Sequence, residues 1–190
     1  SQGPGICSSP VTGMLPALSL SAALFAALPA SAQKNEAVPV AASVVKGRLT
    51  GGHGLEDCVV WIDGGEALPP LPAASALRTV NQIHKDFSPK TSAIRAGDRV
   101  EFDNLDDVFH NVFSYSKAER FDLGRYPKGE SKSVTFEKKG LIDVHCEVHD
   151  HMRSYIHVFD HPYYAIAAAA GSYASPNAPS GNYTPVVGSG

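Results

Sequence analysis

The sequence lacks any cluster of basic residues, and its first 32 residues carry no charged side chain. Lys and Arg together number 16 against 19 Asp and Glu, so the formal net charge is −3. Binding to nucleic acid depends on several Lys or Arg side chains placed to contact phosphates. The composition therefore argues against nucleic acid as a partner.

The sequence also lacks the short motifs of familiar enzymes. It contains no Gly-x-Ser-x-Gly nucleophile elbow, no His-Glu-x-x-His zinc motif and no glycine-rich phosphate loop. Its 8 histidines are scattered, whereas a copper oxidase or nitrite reductase would need a second, histidine-rich metal cluster. We therefore predict that the protein is not an enzyme.

Past residue 32 the sequence has no amphipathic pattern long enough for an ordinary helix. Short runs rich in β-branched and aromatic residues alternate instead with turns that contain Gly, Pro, Asp or Asn. Such runs without interleaved helices predict an all-β protein, an antiparallel β-sandwich. The predicted strands are 44–49, 58–63, 79–87, 91–95, 99–104, 109–115, 131–137, 141–146 and 154–159. Residues 116–130 are predicted to be a loop whose aromatic side chains pack on the body.

An apolar stretch, Met14–Ala32, ends in the small residues that signal peptidases prefer. It predicts an export signal cleaved before Gln33, with residues 1–13 as upstream sequence and synthesis beginning at Met14. A membrane anchor is the alternative, although the stretch is short for a spanning helix. The predicted organisation is signal and upstream residues 1–32, linker 33–43, one domain 44–160 and a C-terminal extension 161–190. The mature chain would be periplasmic in a bacterium, monomeric and without a membrane span.

Cysteine is scarce, with 3 in the whole sequence. Cys7 would leave with the export signal. Cys58 lies in the strand-like run CVVWID, where a buried cysteine behaves as a small apolar residue. An oxidising compartment favours disulfides, but Cys146 has a better use as a metal ligand, so we predict no bond between Cys58 and Cys146.

The residues with metal-binding chemistry lie in CEVHDHM, which supplies Cys146, His149 and Met152, and in FHN, which supplies His110 and Asn111. One thiolate, two imidazoles and a thioether form the ligand set of a blue-copper electron-transfer site. A loop that provides three ligands needs the fourth from a distant strand, so that the fold sets the geometry. The soft sulfur ligands favour copper, although a Cys/His set would also hold zinc. We predict one mononuclear Cu(I)/Cu(II) ion and a protein redox partner.

Three segments resemble the cupredoxins, in the neighbourhood of amicyanin and plastocyanin: GDRVEFDNLDDVFHNVFS, FDLGRYPKGESKSVTFEKKG and LIDVHCEVHDHMRSYIHV. The sequence is similar above all to exported cupredoxin-like proteins labelled methylamine utilization proteins. The resemblance covers about residues 44–160 and implies a Greek-key sandwich with the same four copper ligands. It also implies that Asn111 ties the ligand loops together.

The chain departs from this family in its ligand loop, where Asp150 replaces a common proline and His151 adds a third imidazole. We expect His151 and the strand residue His145 not to be ligands. Asp103, Asp106 and Asp107 are predicted to serve turn formation and solubility, with docking to a basic redox partner as the alternative.

The tail is faintly similar to the start of a carboxypeptidase-regulatory-like module, and would either add a hairpin to the sandwich edge or belong to a truncated relative.

The function predicted from the sequence is therefore that of a periplasmic one-electron carrier. A copper carrier or buffer without a redox role is one alternative. A structural or adhesive β-sandwich with an empty or zinc-filled site is the other. A core cysteine, a surface histidine and a packing methionine would be the plain structural explanation of the same four residues.

Overall fold

The computed structural model describes residues 43–51, 55–63, 76–178 and 184–190, without the side chains of residues 43, 176 and 177. The predicted export signal and nearly all of the predicted linker lie outside these residues. Among the described residues, no helix is long and apolar enough to cross a membrane.

The described chain forms strands and one short 3-10 helix, Leu55–Asp57. The strands are β1 (Ser43–Arg48), β2 (Val59–Asp63), β3 (Leu77–Ile83), β4 (Asp86–Ser88), β5 (Thr91–Arg95), β6 (Arg99–Asn104), β7 (His110–Ser114), β8 (Phe121–Tyr126), β9 (Ser131–Thr135), β10 (Gly140–His145), β11 (Arg153–Phe159), β12 (Tyr164–Ile166), β13 (Ser172–Ala178) and β14 (Thr184–Gly188). The prediction of an all-β fold is confirmed.

Two sheets form the sandwich that contains the candidate ligands. One has five strands in the order β5-β11-β10-β7-β8, and the other has four in the order β4-β3-β6-β9. Most neighbours are antiparallel, but β3 runs parallel to β6 and β5 runs parallel to β11. In each parallel pair the two strands are not consecutive along the chain, because at least one strand of the other sheet lies between them in sequence.

The alternation of apolar and polar residues along each strand places one face of both sheets in a shared core. The strand β6 shows this most clearly, because Val100 and Phe102 are buried while Arg99 and Glu101 are not. The buried side chains of this core come from both sheets, from the residue after β9 and from the loop after β10. They include Val80, Phe87, Ile94, Val100, Phe102, Val112, Phe136, Ile142, Val144, Ile156 and Val158, together with Cys146 and Met152.

Two predicted segments differ from the structure. The predicted strand 79–87 is split into β3 and β4 by a turn at His84 and Lys85, whose φ angles are 57° and 56°. Residues 116–130 are not all loop, because Phe121–Tyr126 forms the edge strand β8. Its polar, Gly-containing sequence hides the strand, and the buried end of it, Tyr126, is held by tertiary contacts that a local pattern does not reveal.

The terminal segments pair with each other and not with the sandwich sheets, although β1 and β2 were predicted as its first strands. The strand β1 pairs with β13, and β2 lies between β12 and β14. We call these five strands the terminal β-unit. It encloses small clusters of its own, one of which includes Leu49, Cys58, Val60 and Tyr173. The predicted domain boundaries at residues 44 and 160 stay predictions.

The side chain of Cys58 is fully buried, as predicted, but the cysteine is disulfide-bonded, whereas it was expected to act only as a small apolar residue. Cys146 is buried and free, so the expectation that these two cysteines do not pair is met.

Tyr126→Phe is expected to lower the free energy of unfolding by about 1–3 kcal/mol, because the change leaves buried polar groups without a partner. The Tyr126 hydroxyl is buried, accepts a hydrogen bond from Gln82 Nε2 at 2.6 Å and donates one to the carbonyl oxygen of Phe102 at 3.0 Å. Urea unfolding would measure the loss. The matched change at Tyr115, which is 70% exposed, should have little effect, and equal losses in the two variants would refute the assignment.

Candidate metal centre

The candidate ligands meet at one end of the five-stranded sheet. His110 begins β7, and Cys146 follows the last residue of β10. The two strands are antiparallel neighbours, with His145 opposite Phe113. The start of one such strand lies beside the end of the other, so the sheet itself brings together two residues that are 36 positions apart in sequence.

Three of the four predicted ligands form a compact cluster. One ligand atom from each of His110, Cys146 and His149 can be chosen so that all lie within 4.8 Å of one another. The distance from Cys146 Sγ to His110 Nδ1 is 3.8 Å, and the two imidazole centroids are 4.9 Å apart. Within the described part of the chain, this is the one group of three or more His, Cys, Asp or Glu side chains with such geometry.

The donors of this cluster fit copper. His149 Nδ1 is buried and has no hydrogen-bond partner, which is costly for a polar atom unless something else binds it. A thiolate together with two imidazoles is the set that holds copper in a trigonal arrangement. His110 and Cys146 are almost entirely buried, so water is excluded from the cluster on their side.

Met152 lies at the end of the same loop, immediately before β11. It is completely buried in the sandwich core, and its backbone N–H donates to the carbonyl oxygen of His149 at 3.0 Å. This bond closes the loop from His149 to Met152 into a turn. The assignment of Met152 as a copper ligand stays a prediction.

Asn111 connects the two segments that carry the ligands. Its side-chain oxygen accepts a hydrogen bond from the backbone N–H of Glu147 at 2.7 Å. Its side-chain nitrogen donates to Asp122 Oδ1 in β8 at 3.2 Å. The Asn111 side chain is 1% exposed, although its partners Asp122 and Glu147 lie at the surface. These hydrogen bonds connect the segment of His110 with that of Cys146, while the role of Asn111 beside a copper ion stays a prediction.

Asp106 was predicted to serve turn formation and solubility, but in the structure it also contacts a candidate ligand. Asp106 Oδ2 lies 2.8 Å from His110 Nε2, on the side of the ring opposite the cluster. Burial raises the pKa of this carboxyl group, but hydrogen bonds from His110 and from the backbone of Lys85 and His84 outweigh burial and lower the pKa below its usual value. The only signal in the sequence was the carboxylate four residues before a histidine, which is too common to be informative.

The two other histidines near the loop have different contacts. His145 Nε2 lies 3.0 Å from Asp143 Oδ1, and its ring stacks on Phe113 on the outer face of the sheet. His151 is exposed, and its Nε2 donates to the carbonyl oxygen of Lys85 at 2.9 Å. Neither belongs to the cluster. Asp150 is exposed as well.

The electrostatic surroundings favour a neutral imidazole at His149. Burial, followed by the proximity of His110, lowers the pKa of His149 below its usual value. A neutral ring has a lone pair available for a metal, whereas a protonated one does not.

Residues 75–159 match the family described as copper binding proteins of the plastocyanin/azurin family. This stretch contains every strand of the two sandwich sheets, from β3 to β11, and all four candidate ligands. The chain contains a cupredoxin domain. Its cofactor is copper. The terminal β-unit lies outside the stretch that matches.

The chain is similar to several solved cupredoxin structures. A mutant of amicyanin in its Cu(I) form is 20% identical with a TM-score of 0.42, over 53% of this chain and 98% of that one. A purple cupredoxin from Nitrosopumilus maritimus is 20% identical with a TM-score of 0.39, over 43% of this chain and 99% of that one. No curated protein matches the chain.

A Cu-containing nitrite reductase from Thermus scotoductus is 30% identical with a TM-score of 0.41. The similarity covers 51% of this chain but 24% of the reductase. The activity in its name belongs to a much longer protein and is not carried over to this cupredoxin domain.

Proposed function

We propose that the protein is an exported, periplasmic one-electron carrier and not an enzyme. In this proposal one mononuclear copper ion, bound by His110, Cys146, His149 and Met152, supplies the Cu(II)/Cu(I) couple. The protein works as a monomer that exchanges electrons with a redox partner protein. The observation that carries the proposal is the cluster of one cysteine sulfur and two imidazoles at the end of the sandwich, in which His110 and Cys146 are buried.

Rigidity of the ligands supports electron transfer over simple storage of copper. Electron transfer is fast when the oxidised and the reduced ion share nearly one geometry, because little then has to move. His110 is fixed by a strand and by Asp106, and Asn111 fastens the loop that begins at Cys146. Cys146 and Met152 are parts of the sandwich core. A carrier that releases its ion needs an opening loop, and these contacts oppose such opening.

The surface around the cluster offers a place for a redox partner. Of the three clustered ligands, His149 is the one that is not buried, so electrons would pass through its ring edge. Apolar side chains are exposed in sequence next to the ligands, among them Phe109 at 57% and Val148 at 38%. Leu105 and Val108 extend the same apolar stretch before His110. Exposed apolar side chains gathered around a functional group indicate a protein contact.

Addition of Cu(II) to the purified protein is expected to give an intense visible absorption band from charge transfer between thiolate and copper, together with reversible voltammetry. Cys146→Ser removes the thiolate and should abolish the band. His151→Ala, a change in the same loop at an imidazole outside the cluster, should retain it. Absence of the band in the unaltered protein would overturn the proposal.

The same measurements separate the two alternatives. Tight binding of Cu(I) without a reversible couple would identify a copper carrier or buffer. Binding of neither copper ion, or retention of zinc alone, would identify a structural sandwich. The band together with a reversible couple distinguishes an electron carrier from both.

A further inference from the structure

The carboxylate of Asp106 lies directly behind the first candidate ligand. Its Oδ2 is 2.8 Å from His110 Nε2, and the opposite ring nitrogen, Nδ1, is 3.8 Å from Cys146 Sγ. The His110 side chain is completely buried, and that of Asp106 is 13% exposed. The imidazole is therefore held between a carboxylate on one side and the ligand cluster on the other.

The hydrogen bonds of Asp106 fix the direction of the contact with His110. Its Oδ1 accepts the backbone N–H of His84 at 2.7 Å, and its Oδ2 accepts the backbone N–H of Lys85 at 2.7 Å. An ionised carboxylate only accepts hydrogen bonds. Hence His110 Nε2 must carry the proton that points at Asp106, and Nδ1 of the neutral ring is left with a free lone pair.

We propose that Asp106 is a positioning residue for the copper centre, which holds His110 as the Nε2-protonated tautomer and makes its Nδ1 a stronger donor to the metal. This inference rests on the proposed copper site and concerns how the protein sets the affinity and the potential of that site. Histidine ligands whose second nitrogen donates to a carboxylate gain basicity and orientation. The added negative charge stabilises Cu(II) more than Cu(I), because the oxidised ion carries the larger positive charge.

Asp106 is itself held in place. Its backbone N–H donates to Asn104 Oδ1 at 3.0 Å. The side-chain nitrogen of Asn104, which is fully buried, donates to the carbonyl oxygens of Val108 at 2.8 Å and Tyr126 at 3.0 Å. The turn between β3 and β4, with positive φ at both of its residues, is fastened to the carboxylate as well. The ligand, the turn and the loop before β7 therefore meet at one side chain.

The neighbouring residue Asp107 provides a matched control. Its side chain is 88% exposed and forms an ion pair with Lys128 at 2.6 Å. Asp107→Asn removes the same charge from the same loop without changing any contact of His110. A difference between Asp106→Asn and Asp107→Asn therefore reports the direct hydrogen bond and not the overall charge of the loop.

The tautomer can be measured in the metal-free protein by ¹⁵N NMR of the histidine rings. When the His110 ring carries a single proton, we expect that proton on Nε2 and not on Nδ1 in the unaltered protein and in Asp107→Asn. In Asp106→Ala, which removes the acceptor as well as the charge, this signature should be lost or mixed with the other tautomer. An unchanged His110 signature in Asp106→Ala would overturn the positioning role, whatever happens to the thermal stability of that variant.

Copper affinity and potential give the second readout. Asp106→Asn is expected to lower copper affinity about 10–100-fold, with the larger loss for Cu(II). The potential should rise by about 59 mV for each tenfold difference between the two losses. Asp107→Asn should change both values far less, and equal changes in the two variants would refute the proposal. Because the tautomer is read without metal, failure of the electron-carrier proposal remains distinguishable from failure of this one.

Discussion

Met152→Ala is expected to lower the free energy of unfolding of the metal-free protein by about 2–5 kcal/mol. Met152 is completely buried and packs in the same cluster of core side chains as Cys146 and Ile156. Truncation leaves a cavity between the two sheets, directly below the loop that carries His149. Urea unfolding of the apo-protein would measure this cost without any contribution from copper.

Met152→Leu separates the packing of this residue from its predicted ligation. Leucine has about the same volume, so the apo-protein should lose less than about 1.5 kcal/mol. The copper protein should nevertheless change if Met152 would hold the ion, because a thioether ligand would tune the potential of such a site and leucine offers no donor. An unaltered visible spectrum and potential in Met152→Leu would show that Met152 is a packing residue and no ligand.

The metal-binding cluster was predictable because its ligand types occur at a characteristic spacing in the sequence. Cys146, His149 and Met152 fall in one loop, and His110 follows a strand-like approach, so a β-sandwich that brings the two together needs no further information. The structure places three of these side chains within reach of a single ion. The copper-binding family match covers the same residues.

Asp106 could not be predicted in the same way. Its contact with His110 depends on the path of the loop 105–109 and on a turn between β3 and β4 that lies more than twenty residues away. A run with three aspartates is usually a solvated turn, and Asp107 fits that description. Only the tertiary arrangement distinguishes one aspartate from the next.

The pairing of the strands in the terminal β-unit was not predicted, for a related reason. Its strands are short and come from opposite ends of the described chain, as in the pairing of Leu49 N–H with the carbonyl oxygen of Gly171 at 2.8 Å. Such pairing leaves no local pattern beyond a few alternating residues in Tyr173–Ser175. Gly171 itself is required, because its φ is 76° and a Cβ there would lie 2.4 Å from the Leu49 oxygen.

The contact between the terminal β-unit and the cupredoxin sheet is expected to weaken as the pH falls from about 6.5 to 4. His157, on the outer face of β11, is 7% exposed, and burial lowers its pKa to about 4. Its ring lies against Trp61 of β2, with centroids 6.4 Å apart, and stacks on Phe159 at 6.3 Å. Its Nε2 is buried without a hydrogen-bond partner.

The direction of the change in the free energy of unfolding follows from the protonation of His157 in the folded and in the unfolded chain. Above pH 6.5 His157 is neutral in both, so it contributes no pH dependence. Between 6.5 and about 4 the unfolded chain binds a proton that the folded chain excludes, and the free energy of unfolding falls. The gap between the two pKa values corresponds to a loss of about 3 kcal/mol, complete below pH 4.

His157→Phe keeps an aromatic ring in this apolar contact and removes the titrating group. Unfolding of both proteins should be measured at pH 8, where the difference reports packing alone, and again at pH 4.5. The variant should lose less stability than the unaltered protein between these two values. Trp61 is the only tryptophan in the sequence, so its fluorescence reports this interface directly. Equal losses in the two proteins would show that His157 is protonated without cost and that the interface is open to water.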